Sequence, residues 1–85
     1  MAEEKRVGKV THYYDRIGVA VVEVEESFGV GDEIEVRSKN GEVKFTQEVS
    51  SIQVEHENIQ RAEKGQLVGL KVDGKVKKGD LVFKV

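Results

Sequence analysis

Apolar and polar residues alternate with a period close to two along almost the whole chain, the pattern of half-buried β-strands rather than helices. A first strand is expected over residues 7–14, with Gly8, Val10 and His12 on one face and Val7, Lys9 and Thr11 on the other. Asp15-Arg16-Ile17-Gly18 supplies turn chemistry, and Val19–Val24 follows as a second strand. That strand carries Ala20, Val22 and Val24 on one side and Val19, Val21 and Glu23 on the other, so part of its second face is expected to be covered too. Glu33–Arg37 alternates cleanly, with acids outward and aliphatics inward. Asn40-Gly41 then separates it from a fourth strand beginning at Val43, a strong hairpin signal because both residues tolerate the positive φ of a type I′ turn.

The inward phase of the fourth strand is odd-numbered up to Val49, whereas Ile52 and Val54 are even-numbered. One extra residue reconciles the two, which predicts a bulge or sharp bend at Ser50-Ser51. Residues 58–64 read as a short helical turn, capped by Asn58 and stopped by Gly65. Residues 67–72 and 81–85 are the fifth and sixth strands. Two segments repeat one device: Val30-Gly31-Asp32-Glu33-Ile34 and Lys78-Gly79-Asp80-Leu81-Val82 each lead Gly-Asp into a strand. Glycine permits the tight turn, and the aspartate accepts backbone N–H groups where the ladder begins. The expected fold is all-β: a small, six-stranded, mostly antiparallel closed barrel over residues 6–85, behind a charged tail at 1–5.

Composition narrows the chemistry. With 85 residues and no cysteine, the chain has neither disulfides nor thiolate metal sites to support its core. Charged residues make up 35% of the chain, yet the net charge is only −2, so no global basic field marks a nucleic-acid binder. The N-terminal residues read as no signal peptide, and no apolar run approaches the ~20 residues of a membrane span, so a cytoplasmic protein is expected. His12 and His56 lack a clear third ligand and read as structural, so neither metal nor cofactor is expected. No nucleophile motif occurs, and the paired carboxylates lie in charge-rich turns; the chain is expected not to be an enzyme.

Two segments stand out as contact candidates. His12, Tyr13, Tyr14 and Arg16 group rings and a guanidinium at a strand end, a set suited to stacking on bases and pairing with phosphate. Lys71, Lys75, Lys77 and Lys78 form the most basic local region, suited to a phosphate backbone or to keeping an edge strand soluble.

Six motifs in order carry a family resemblance: Gly8-Lys9-Val10, Val30-Gly31-Asp32-Glu33-Ile34, Val49-Ser50-Ser51-Ile52-Gln53, Ile59 with Ala62-Glu63-Lys64-Gly65, Val68-Gly69-Leu70, and Lys78-Gly79-Asp80-Leu81-Val82. Their order resembles the second domain of translation GTPases of the elongation factor Tu and 1-alpha type. The resemblance implies a non-enzymatic module contacting RNA, the ribosome or a translation protein. The chain has no Gly-x-x-x-x-Gly-Lys-Ser/Thr loop, so no GTP binding is expected of it. The same barrel also resembles the C-terminal domain attached to some U32-type peptidase-like proteins linked to RNA modification. The alternative is a protein–protein adaptor, or an accessory barrel of a larger complex, with no RNA contact.

Overall fold

The computed structural model describes residues 5–55 and 57–85. Ten strands form among them: β1 (Lys5–Tyr14), β2 (Val19–Val24), β3 (Phe28–Gly29), β4 (Glu33–Arg37), β5 (Val43–Glu48), β6 (Ile52–Val54), β7 (Glu57–Ile59), β8 (Arg61–Ala62), β9 (Leu67–Lys71) and β10 (Leu81–Lys84). Eight make one sheet in the order β5-β4-β10-β1-β2-β9-β6-β7, while β3 and β8 pair separately. Every pairing is antiparallel. His56 and residues 1–4, most of the expected tail, lie outside the described residues.

The expected six-stranded closed barrel is not what forms: the two ends of the sheet are not joined by strand pairing. The sheet is nevertheless strongly curled. Strands β5 and β6 sit near opposite ends of it, yet only Val49, Ser50 and Ser51 connect them. Four Cα steps reach at most about 14 Å, so the two ends must face each other across a narrow seam. A side chain bridges that seam. Gln47, buried on β5, donates from Nε2 to the Lys71 carbonyl at 2.8 Å and accepts the Asp73 N–H on Oε1 at 2.7 Å. One amide thus supplies the donor and acceptor that a further ladder would have provided.

The curl encloses an aliphatic core. Val7, Val10, Ala20, Val22, Phe28, Ile34, Val49, Ile52, Val68 and Leu70 are among its fully buried members. Strand β1 departs from simple alternation. Its register slips against β10 between Arg6 and Gly8, and against β2 between Val10 and His12. Val7 and Val10 are therefore both buried, Tyr13 packs on the core, and His12 and Tyr14 face out. Gly8 is needed where it lies, because a Cβ there would sit 2.4 Å from Val22 Cγ1.

No helical turn forms over 58–64. Asn58 lies opposite Gln53 and Ile59 opposite Ile52, while Ala62 lies opposite Phe28 on the other sheet. The Gln60 carbonyl between them accepts the Val30 N–H at 2.9 Å. Pairing to two sheets outweighs a nascent helix, whose nucleation is unfavourable at this length.

The two Gly-Asp segments fold alike. Asp32 Oδ2 accepts the Gly29 N–H and Asp80 Oδ2 accepts the Lys77 N–H, both at 2.8 Å. Gly31 and Gly79 have φ of 96° and 98°. Each turn clasps one valine: Gly31 N donates to Val49 O and Val49 N to Asp32 O, as Gly79 N does to Val10 O and Val10 N to Asp80 O. At the β4–β5 hairpin only Gly41 has positive φ, with Gly41 N donating to Ser38 O, so the loop is a three-residue type rather than the two-residue type I′ form. Gly65 turns the chain into β9 at φ 93°.

Candidate functional site

The outer face of β1, β2, β9 and β6 carries side chains that the curl does not bury. The slip after Val10 turns His12 and Tyr14 to this face, where their rings meet edge to face at 4.4 Å. Next comes the turn before β2, pinned by three bonds: Ile17 N to Tyr14 O at 3.3 Å, Val72 N to Gly18 O at 2.9 Å, and Lys71 Nζ to Ile17 O at 3.1 Å. These hold Ile17 up with 59% of its surface exposed. Val19 and Val21 follow on β2, opposite Lys71 and Gly69 of β9. Leu67, at the start of β9, is 58% exposed, and Tyr14 is 49% exposed.

These residues surround a shallow depression of about 300 Å³ lined by Tyr14, Ile17, Val19, Val21, Gln53, Glu55, Leu67, Val68 and Gly69. Gly69 is its floor. Its backbone lies outside the left-handed region, and an added Cβ would come 3.3 Å from Val19 Cγ1. Conformation does not demand glycine there; the missing side chain is what leaves the hollow. A glycine inside a strand often marks close approach by another group.

Charge is arranged along the depression. At one end Glu23 lies between Lys9 and Leu67, and continuing the β6–β9 register by two residues brings Glu55 level with Leu67, so Glu55 is the carboxylate there without a facing cation. At the other end is Lys71, opposite Val19 with its ammonium on the Ile17 carbonyl, while Arg16 and Asp15 flank a neighbouring depression in the turn. Among the described residues, the Glu55 carboxylate has neither a hydrogen bond nor an ion pair. Glu55 holds φ of 50°, unusual for a residue other than glycine, asparagine or aspartate, in the two-residue connection between β6 and β7.

Of the residues singled out by sequence, His12, Tyr13, Tyr14 and Arg16 come together with Asp15 and Ile17 around that neighbouring depression of about 400 Å³, Tyr13 also packing against the core. Lys71 joins the edge of the outer face. Lys75 is exposed and lines no described depression. Lys77 and Lys78 belong elsewhere, to a polar cleft of about 620 Å³ with Ser38, Lys39, Asn40, Glu42, Lys44 and Asp80. There Lys44 Nζ pairs with the buried Asp80 carboxylate at 2.6 Å. Sequence reasoning did not single out Ile17, Leu67, Gly69 or Glu55, which line the depression floored by Gly69. The one available signal was the unbroken run Val19-Ala20-Val21-Val22, apolar on both faces. No three or more described His, Cys, Asp or Glu side chains gather as a metal site.

Comparison with known proteins returns one family. The peptidase family U32 C-terminal domain matches residues 3–82. An uncharacterized protease of Methanocaldococcus jannaschii is 33% identical over 77 residues, 91% of this chain and 19% of that protein. A collagenase of Porphyromonas gingivalis is 34% identical over 79 residues, 92% of this chain and 22% of the collagenase. The chain thus spans about a fifth of the curated relatives it matches. Among solved structures, the C-terminal domain of a U32-type peptidase of Geobacillus thermoleovorans superposes with a TM-score of 0.86 at 28% identity, covering 95% of this chain and 92% of that one.

These matches correct the expectation of an elongation factor domain contacting RNA, the ribosome or a translation protein: of the two resemblances, the matching family and the superposed structure support the U32 C-terminal domain. The physical reason lies in the motifs that carried it. Val30-Gly31-Asp32 and Lys78-Gly79-Asp80 bind their own backbone, and Val49 is clasped by the first turn. Such devices serve a tightly curled antiparallel sheet of any lineage and carry no information about a ligand.

Proposed function

The chain belongs to the peptidase family U32 C-terminal domain family, and we propose that it acts as a non-catalytic docking module for a larger U32-type polypeptide. Catalysis is assigned to that larger part: the relatives named protease and collagenase extend well beyond the fifth that this chain matches. The observation that carries the reading is the apolar depression floored by Gly69, with Tyr14, Ile17 and Leu67 exposed around it.

The energetics favour contact. Covering a Leu or Ile side chain fully is worth about 1.5–3 kcal/mol relative to leaving it in water. Tyr14 beside these aliphatic groups is of the residue type enriched at binding hot spots. Part of the gain offsets the freedom lost on association, so moderate affinity is expected for separated pieces.

The test uses the part of the Methanocaldococcus jannaschii protease that this chain does not match, prepared as a separate polypeptide. Calorimetric titration is expected to show saturable binding, with Leu67→Asp weakening it at least about tenfold, a change of 1.4 kcal/mol. No binding, or equal binding by the variant, overturns the reading.

A further inference from the structure

The docking depression is electrically polarised, and the polarity specifies its occupant. We propose that it receives an extended segment of the larger U32-type polypeptide in which one apolar side chain sits over Gly69, with a basic residue on the Glu55 side and an acidic residue on the Lys71 side. The inference rests on the docking reading and adds the chemistry and direction of the bound segment.

The register supplies the geometry. Three levels cross the strands: Lys9 with Glu23 and Leu67, then His12 with Val21, Gly69 and Gln53, then Tyr14 with Val19 and Lys71, while Glu55, two residues beyond Gln53, lines the hollow beside Leu67. Moving from Leu67 to Lys71 spans four residues of strand, about 13 Å at the usual rise. An extended segment therefore places its own two charges four residues apart, with the apolar anchor midway. The Glu55 carboxylate has no partner among the described residues and lines the same hollow as Leu67. At the opposite end the Lys71 ammonium is held at the Ile17 carbonyl by a 3.1 Å bond, with Arg16 one residue before Ile17.

Conformation agrees with a contact role for Glu55. The connection between β6 and β7 holds two residues, and the hairpin turns of that length favour asparagine, aspartate or glycine at positive φ. Glutamate at φ 50° is a poor choice for the turn alone. Its place is explained if the carboxylate is needed outside the turn.

The other charged surface, the cleft around Lys44 and Asp80, is partly neutralised by that pair and carries no comparable hydrophobic anchor.

The experiment is a set of charge reversals titrated against the same unmatched portion of the Methanocaldococcus jannaschii protease. Glu55→Lys, Arg16→Glu and Lys71→Glu are each expected to weaken binding about tenfold or more at low salt, and Glu55→Gln by less. The differences are expected to shrink toward 1 M salt, where the screening length falls to about 3 Å. Leu67→Asp is run alongside. If Leu67→Asp abolishes binding while the charge variants bind as the parent does, the docking reading stands and the polarity inference fails. A reversal at either end that strengthens binding also overturns the inference. If Leu67→Asp binds normally, the docking reading itself fails. If size-exclusion chromatography shows this chain self-associating through a surface that Leu67→Asp dissolves, the occupant is a second copy and both are overturned.

Discussion

The two faces of β2 and β9 differ in what their apolar residues accomplish. Inside, Ala20, Val22, Val68 and Leu70 are fully buried and account for the curl of the sheet. Outside, Val19 and Val21 remain half-buried around a glycine floor, and Leu67 is mostly exposed. An antiparallel sheet with one solvated face ordinarily turns polar residues outward, as β4 does with Glu33, Glu35 and Arg37. Apolarity on the outer face of β2 and β9 is therefore in excess of what folding requires. Stability is built on one face, and the docking proposal rests on the other.

That division can be broken at its strongest point first. Leu70→Ala removes a large side chain from the inner face and is expected to cost about 2–5 kcal/mol, read by urea unfolding. A loss under about 1 kcal/mol would mean that the inner face is not the stabilising one. Gln47→Leu comes next. It leaves the Lys71 carbonyl and Asp73 N–H without the side chain that bridges them, and is expected to cost about 1–3 kcal/mol. Hydrogen exchange should then speed up at residue 73 more than at the centre of β2.

Much of the inner face was legible in the sequence, and the closure was not. Period-two alternation marked β2, β4 and β9, and Gly-Asp marked the two turns that clasp Val10 and Val49. Residues 58–64 misled because Asn58, Lys64 and Gly65 carry helix punctuation, whereas Asn58, Ile59 and Ala62 are held by strands elsewhere in sequence, at Gln53, Ile52 and Phe28. The seam was hidden for a similar reason. A buried glutamine bridging residues 24 and 26 positions away leaves no local pattern. On the outer face, Tyr14 and the double-sided run of β2 were visible, but Leu67, Gly69 and Ile17 gain meaning only when three strands are aligned.

Smaller effects sharpen the contrast. Glu55→Asn relieves a positive φ and is expected to raise stability by roughly 0.5–1 kcal/mol while weakening docking, a trade typical of contact sites. Thermal unfolding and titration of the same sample check both halves. Leu67→Asp replaces an exposed side chain but sets a carboxylate opposite Glu23, and is expected to cost less than about 1 kcal/mol.

The most direct measurement is methyl NMR of this chain titrated with the unmatched portion of the Methanocaldococcus jannaschii protease. The signals of Ile17, Val19, Val21 and Leu67 are expected to broaden or shift, while those of Val22 and Leu70 on the inner face hold still. Perturbations gathered instead around Lys77, Lys78 and Lys44, or no perturbation at saturating partner, would contradict the docking proposal.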